Sequence, residues 1–181
     1  MQLPTRHRTP IVALAAVLLG LLVVGGILLV GRIGVPDASP SPTTSGPPPS
    51  ATDPLSTPEG AVRAFFTALA GARRTDDPSP LAALVTSTSS SAYLTAAGFL
   101  AGQKATGIAS VLTVNDISNL VVVPNGAQAT VTFLRHQVGF DIDVNTGQPK
   151  ESPTALPDAT VRVVVVQTGG RWLVGSFENV P

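Results

Sequence analysis

The hydropathy pattern of the chain begins with an unbroken apolar block. Ile11 to Val30 is twenty residues of Ile, Val, Leu, Ala and Gly with no polar side chain among them. A helix rises about 1.5 Å per residue, so this block reaches roughly 30 Å, the thickness of a bilayer's hydrocarbon core, with its backbone groups satisfied internally. The pattern predicts one transmembrane helix over residues 11–35, the short flank included. Arg6, Arg8 and the terminal amine precede it, and only Arg32 lies close behind. That cationic bias places residues 1–10 in the cytoplasm and the C-terminal part outside it, a single-pass cell-membrane topology. The alternative is a cleaved signal peptide, whose apolar core is usually about 7–15 residues and ends in a small-x-small site. The best such site, Pro36-Asp37-Ala38, has a proline where a small residue is wanted. Either reading leaves the remainder extracytoplasmic.

Residues 36–54 hold almost nothing to bury and are rich in Pro, Ser and Thr, including Pro47-Pro48-Pro49. Such a stretch cannot offset the entropy of ordering and is expected to be a disordered linker, extended toward polyproline II. At about 3.1 Å per residue it spaces a folded head up to roughly 60 Å from the membrane.

From residue 55 to 181 the pattern is that of one folded domain, first with helical and then with strand periodicity. Thr57-Pro58-Glu59 combines an N-cap, a proline in the first turn and an acid at the positive end of the dipole. Val62, Phe65, Phe66 and Leu69 then form one stripe, and Arg73-Arg74 followed by Asp76-Asp77-Pro78 marks the end. Ser79-Pro80 repeats the start signature before Leu81, Leu84 and Val85, and the serines at 87 and 89–91 offer a third cap before Tyr93, Ala96, Ala97 and Leu100, with Gly102 closing the segment. Three short one-sided helices are predicted. From Ile108 the period becomes two. Ile108, Ser110, Leu112 and Val114 alternate with their neighbours, and Pro124-Asn125-Gly126 is a hairpin turn. In the next strand Ala127, Ala129, Val131 and Phe133 are apolar at odd positions, then Val138, Phe140, Ile142 and Val144 at even ones, which predicts a bulge or bend in that strand. Val161 to Val166 reads as a central strand covered on both faces, and Gly169-Gly170 as a last hairpin. Helices followed by an antiparallel sheet define an α+β fold with the helices packed into a strongly bent sheet.

Composition narrows the function. Residues 55–181 carry nine acids against eight bases, unclustered, which leaves no electrostatic footprint for nucleic acid. The absence of cysteine excludes a disulfide framework, a thiolate metal site and a lipidated cysteine.

Thr57-Pro58-Glu59-Gly60-Ala61-Val62-Arg63-Ala64-Phe65-Phe66, the helices that follow and the closing Gly169-Gly170-Arg171-Trp172-Leu173-Val174 resemble the nuclear transport factor 2-like superfamily. The resemblance spans most of residues 55–181 and implies a cone, a bent sheet wrapped around a long first helix. With a membrane anchor, the chain is similar to the bitopic scaffold subunits of type IV secretion and conjugation machines and to actinobacterial membrane proteins associated with Mce lipid import. Enzymes of the superfamily, among them ketosteroid isomerase and polyketide cyclases, use Asp or His inside the cone. Here the head has one histidine, His136, beside Arg135 with no paired carboxylate or tyrosine by pattern, so it reads as a surface residue. Tyr93 and Trp172 read as core. Asp141-Ile142-Asp143-Val144-Asn145-Thr146-Gly147 is similar to a calcium loop, but its glycine is one place late and Ser152 stands at the twelfth position in place of Glu. It reads as a strand entering a turn.

No catalytic, cofactor-binding or metal-ligating residue is therefore assigned, and no cofactor is expected. The expectation is a non-catalytic interaction or assembly module for other envelope proteins, a homodimer through the lightly charged sheet face included. The alternatives are binding or turnover of a small apolar ligand in the cone, and a plain envelope spacer. A cone that leaves about 300 Å³ or more with convergent polar groups favours the ligand; His136 turned into it beside Asp116, Asp141 or Asp143 would favour an enzyme.

Overall fold

The computed structural model describes residues 53–180. The expected span Ile11 to Val30 and the linker up to residue 52 lie outside the described residues. Among the described residues no helix is long and apolar enough to cross a membrane.

Helix α1, Pro58–Thr75, forms where the capping residues predict it. The Thr57 hydroxyl accepts the Gly60 amide at 3.1 Å, Glu59 sits in the first turn, and Arg73 and Arg74 occupy the last. Its buried stripe is Ala61, Val62, Phe65, Phe66, Leu69 and Ala72. A 3-10 turn, Pro54–Ser56, precedes it and seats Leu55 in the interior. The turn crosses so close to α1 that a Cβ on Gly60 would overlap the Pro54 carbonyl.

Asp76 ends α1 in the left-handed region, φ 52°, with only 8% of its surface exposed and Oδ1 unpaired among the described residues. Burial raises its pKa, and Lys104 opposes that shift. A raised carboxylate binds more protons folded than unfolded, so stability falls as pH rises through the window above the ordinary Asp value. Asparagine also tolerates the left-handed conformation and carries no charge. Asp76→Asn is therefore expected to melt higher than the parent at pH 7, with the gap closing as pH drops below the carboxylate range. Melting curves from pH 3 to 8 check this, and a lower-melting variant at pH 7 would show that attraction to Lys104 outweighs desolvation.

The second predicted helix, the one expected from Ser79-Pro80, is absent. Ser79–Leu81 is a single 3-10 turn, after which the chain extends. Val85 makes a parallel bridge to Val174, Thr86 N donates to Val174 O at 3.0 Å, and Val174 N donates to Leu84 O at 2.9 Å. Prolines at 78 and 80 permit a tight turn but supply no run of amides for a helix. Helix α2, Ser91–Ala105, is capped by Ser90 as expected but does not stop at Gly102. Its terminus comes where a positive φ is supplied, at Gly107 (φ 66°).

The sheet comprises β1 (Ile108–Asn125), β2 (Gln128–Asp143), β3 (Thr154–Ala155), β4 (Ala159–Thr168) and β5 (Arg171–Val180). The spatial order is β1-β2-β4-β5, antiparallel throughout, with β3 pairing the far part of β2. Asn125 pairs with Gln128, so the first hairpin turns on Gly126-Ala127 in place of Asn125-Gly126, and of these only Gly126 has positive φ. Gly169 and Gly170 both have positive φ, as the second hairpin needs.

The predicted bulge in β2 lies instead in β1. Buried positions along β2 stay odd from Ala129, Val131 and Phe133 to Gln137 and Gly139, so that strand never changes phase. The register shifts fall on β1, between Leu112 and Val114 and between Ser118 and Val121, with Asn119 at φ 54°. Each extra residue flips the inward set, which runs Ile108, Ser110, Leu112, then Asn115 and Ile117, then Val122, and puts Val114 on the opposite face.

Val161, Val163 and Val165 of β4 are buried, but Arg162 is exposed and donates to Glu178 at 3.2 Å. The expected cover on both faces of this strand is therefore not found. At the centre of the core Phe65, Phe66, Phe133 and Phe177 meet with ring centroids 5.2–5.6 Å apart. Tyr93 and Trp172 pack against this core, partly buried.

Candidate functional site: the space between helices and sheet

The last turn of α1, one face of α2 and the far halves of β1 and β2 do not close on one another. Between them lies a cavity of about 670 Å³, lined by Arg73, Phe99, Gln103, Leu112 and Asp141, with Leu156 at one side. A smaller cavity of about 310 Å³ shares Arg73, Phe99 and Leu156 and adds Leu69, Arg135 and Phe177. The wall is mostly apolar, with a few polar groups converging, as ligand sites require.

Periodicity puts the polar groups there. Arg73 follows Phe66 and Leu69 at helical spacing on the stripe of α1, and Arg135 and Gln137 continue the inward series of β2. The Arg73 guanidinium carbon lies 5.0 Å from the Phe99 ring centre, and that of Arg135 lies 5.9 Å from the Phe66 ring. Arg135 Nη2 donates to Asn179 Oδ1 at 3.5 Å. Neither arginine forms an ion pair among the described residues, and Arg73 Nε is buried with no hydrogen-bond partner. Burial lowers the pKa of both; Arg135 lowers that of Arg73 further, while Asp141 opposes it. Two like charges thus face the same space.

The remaining polar groups are tethered. Gln137, 7% exposed, donates through Nε2 to Asn115 Oδ1 at 2.7 Å, and Asn115 Nδ2 donates to the Phe66 carbonyl at 3.3 Å. Gln103 donates to Ser110 Oγ, which donates to Asp141 Oδ1 at 2.8 Å.

Most of the residues singled out from sequence lie away from the cavity. His136 is on the outer face, opposite Asp116 in the β1–β2 register, with Nδ1 2.6 Å from Asp158 Oδ1 and both of those side chains about half exposed. Asp116 lines a separate groove between α1 and β1 with Arg63, Thr67 and Ile117. Asp143 Oδ1 accepts the Asn145 and Thr146 amides at 2.9 and 3.1 Å, bonds that hold its carboxyl below the ordinary Asp range. It orders the turn, and among the described residues no three His, Asp or Glu gather as a metal ion needs. Of these candidates only Asp141 reaches the cavity. Sequence reasoning did not assign Arg73, Arg135, Phe99 and Gln137 to a site.

No family pattern and no curated protein matches the chain. Solved structures do. The intermembrane space region of the chloroplast protein ARC6 superposes with a TM-score of 0.51 at 14% identity, over 67% of this chain and 92% of that one. An NTF2-like protein with a cystatin-like fold from Novosphingobium aromaticivorans gives 0.42 at 18% identity over 66% and 78%. ActVI-ORFA from Streptomyces coelicolor gives 0.46 at 15% identity over 66% and 91%. What the chain shares with the ARC6 region is the fold alone, here two helices packed on a bent antiparallel sheet.

Proposed function

We propose that the chain is a single-pass membrane protein whose extracytoplasmic domain binds a small amphipathic ligand in the cone interior without turning it over. One observation carries this reading: the cavities of about 670 and 310 Å³ meet at Arg73 and Phe99, where an interaction module would have filled the cone with side chains. The non-catalytic part is supported by His136 lying on the outer face and by Asp141 being tied to Ser110. The apolar block Ile11 to Val30 supports the anchor, and the resemblance to secretion scaffolds and Mce-associated proteins supports an envelope setting. Assembly with a second copy or another envelope protein through the outer sheet face is the second reading, favoured by Val121 and Val123, each 59% exposed on β1.

The test uses α2. Gly98 and Gly102 line the larger cavity, and a Cβ on either meets nothing within 4 Å. Leucines there fill space without straining the fold. The full chain in phosphatidylcholine nanodiscs is expected to bind tritiated dodecanol or dodecanoate saturably above empty nanodiscs, and Gly98→Leu/Gly102→Leu to weaken that binding about tenfold or more, a loss of at least about 1.4 kcal/mol. Equal binding by parent and filled variant would move the ligand out of the cone and leave the assembly reading.

A further inference from the structure

We propose that the ligand is an amphipathic anion whose carboxylate lies between Arg73 and Arg135 while its apolar tail runs along Phe99, Leu156 and Leu112 into the larger cavity. This rests on the ligand-binding reading above and adds the chemical class.

A charge partly withdrawn from water, as both arginines are, is costly unless it is paired, and two of the same sign facing one space are costlier. Arg73 and Arg135 line the smaller cavity together, so two like charges face one space. Each is held by an aromatic face, Phe99 for Arg73 and Phe66 for Arg135, which fixes position without neutralising charge. Arg73 keeps a buried Nε without an acceptor. The acid that bears on Arg73, Asp141, has an oxygen occupied by Ser110. A planar carboxylate supplies what is missing: two acceptor oxygens for a donor on each guanidinium, and one negative charge between two positive ones.

The two ends of the space differ in sign. The smaller cavity carries both arginines and no acid, whereas Asp141 and Glu151 line the larger one. An anionic head is drawn to the arginine end and repelled from the other. The tail then lies where Leu112 and Leu156 face it.

The experiment measures dodecanoate, dodecanol and dodecyltrimethylammonium binding to the full chain in phosphatidylcholine nanodiscs, corrected for partition into empty nanodiscs. The parent is expected to hold dodecanoate about 10–100-fold tighter than dodecanol, the range one charge-assisted pair supplies, and the ammonium probe weakest. Arg73→Gln/Arg135→Gln should hold dodecanoate and dodecanol alike, with dodecanol affinity within about threefold of the parent's. Arg73→Lys/Arg135→Lys should keep part of the preference, having charge but no fork. Equal affinity of the parent for dodecanoate and dodecanol overturns the anion assignment and leaves the cavity reading standing. If no alkyl probe binds saturably, both fall. The comparison within the parent decides even should a variant not fold.

Discussion

Phe66→Ala is expected to lower the stability of the folded domain by about 3–5 kcal/mol, the usual cost of removing a buried aromatic ring. Phe66 is 2% exposed and stands edge-on to Phe65, Phe133 and Phe177 at 5.3, 5.2 and 5.6 Å between ring centres. These three partners come from α1, β2 and β5, so the cavity opens where helix and sheet meet and cannot collapse by moving one side chain. Domains of this size have roughly 5–15 kcal/mol in total, so the melting temperature should fall on the order of 10–20 °C. Trp172, the chain's sole tryptophan, packs against the core and reports unfolding by fluorescence. Denaturant titration of the full chain checks the value, and a loss below about 1 kcal/mol would mean that the four rings do not pack as one cluster. The substitution also removes the face under Arg135, so the preference for an anionic probe should change in any variant that still folds.

Helix α1 was legible because its cap, first-turn proline, apolar stripe and closing cations agree on one element. Leu81, Leu84 and Val85 misled because the same three positions suit a helix stripe or a tight turn followed by an extended bridge. Only the partner, Val174, decides between them. The phase of β2 misled for a different reason. Following apolar residues alone, the reading stepped from odd to even positions at Val138, while the inward series ran on through Gln137 and Gly139. Arg73 and Arg135 escaped in the same way. Arg73 is four residues after Leu69 and Arg135 two after Phe133, so both were readable as inward positions had the periods been carried past the last apolar residue. Arg73 instead read as a charge suiting the helix dipole, which fits Arg74, the exposed neighbour. That the two converge on one cavity depends on how α1 crosses β2, a tertiary fact that no local period contains. The bulges in β1 left one trace, an asparagine at 119 able to take a positive φ.

Gly139→Ala is expected to destabilise by about 1–3 kcal/mol, although alanine restricts the unfolded chain more than glycine and would by itself stabilise. Gly139 pairs with Leu112, and the next pair is Val138 with Val114, so it lies opposite the first extra residue of β1. A Cβ there would stand 2.7 Å from the Val111 carbonyl oxygen and 2.8 Å from Leu112 Cδ2. The Leu112 side chain can rotate away, but the Val111 carbonyl belongs to the β1–β2 ladder and moves only if the ladder opens. Since Gly139 and Leu112 both line the larger cavity, the shift also narrows the path proposed for the ligand tail. Gly102→Ala on α2 is the matched control: its Cβ meets nothing within 4 Å, and helix propensity predicts a gain of up to about 1 kcal/mol. Urea midpoints of the two variants should therefore move in opposite directions. Were Gly139→Ala as stable as the parent, β1 would not crowd β2 at that point, and the register shift between Leu112 and Val114 would have to lie elsewhere along the strand.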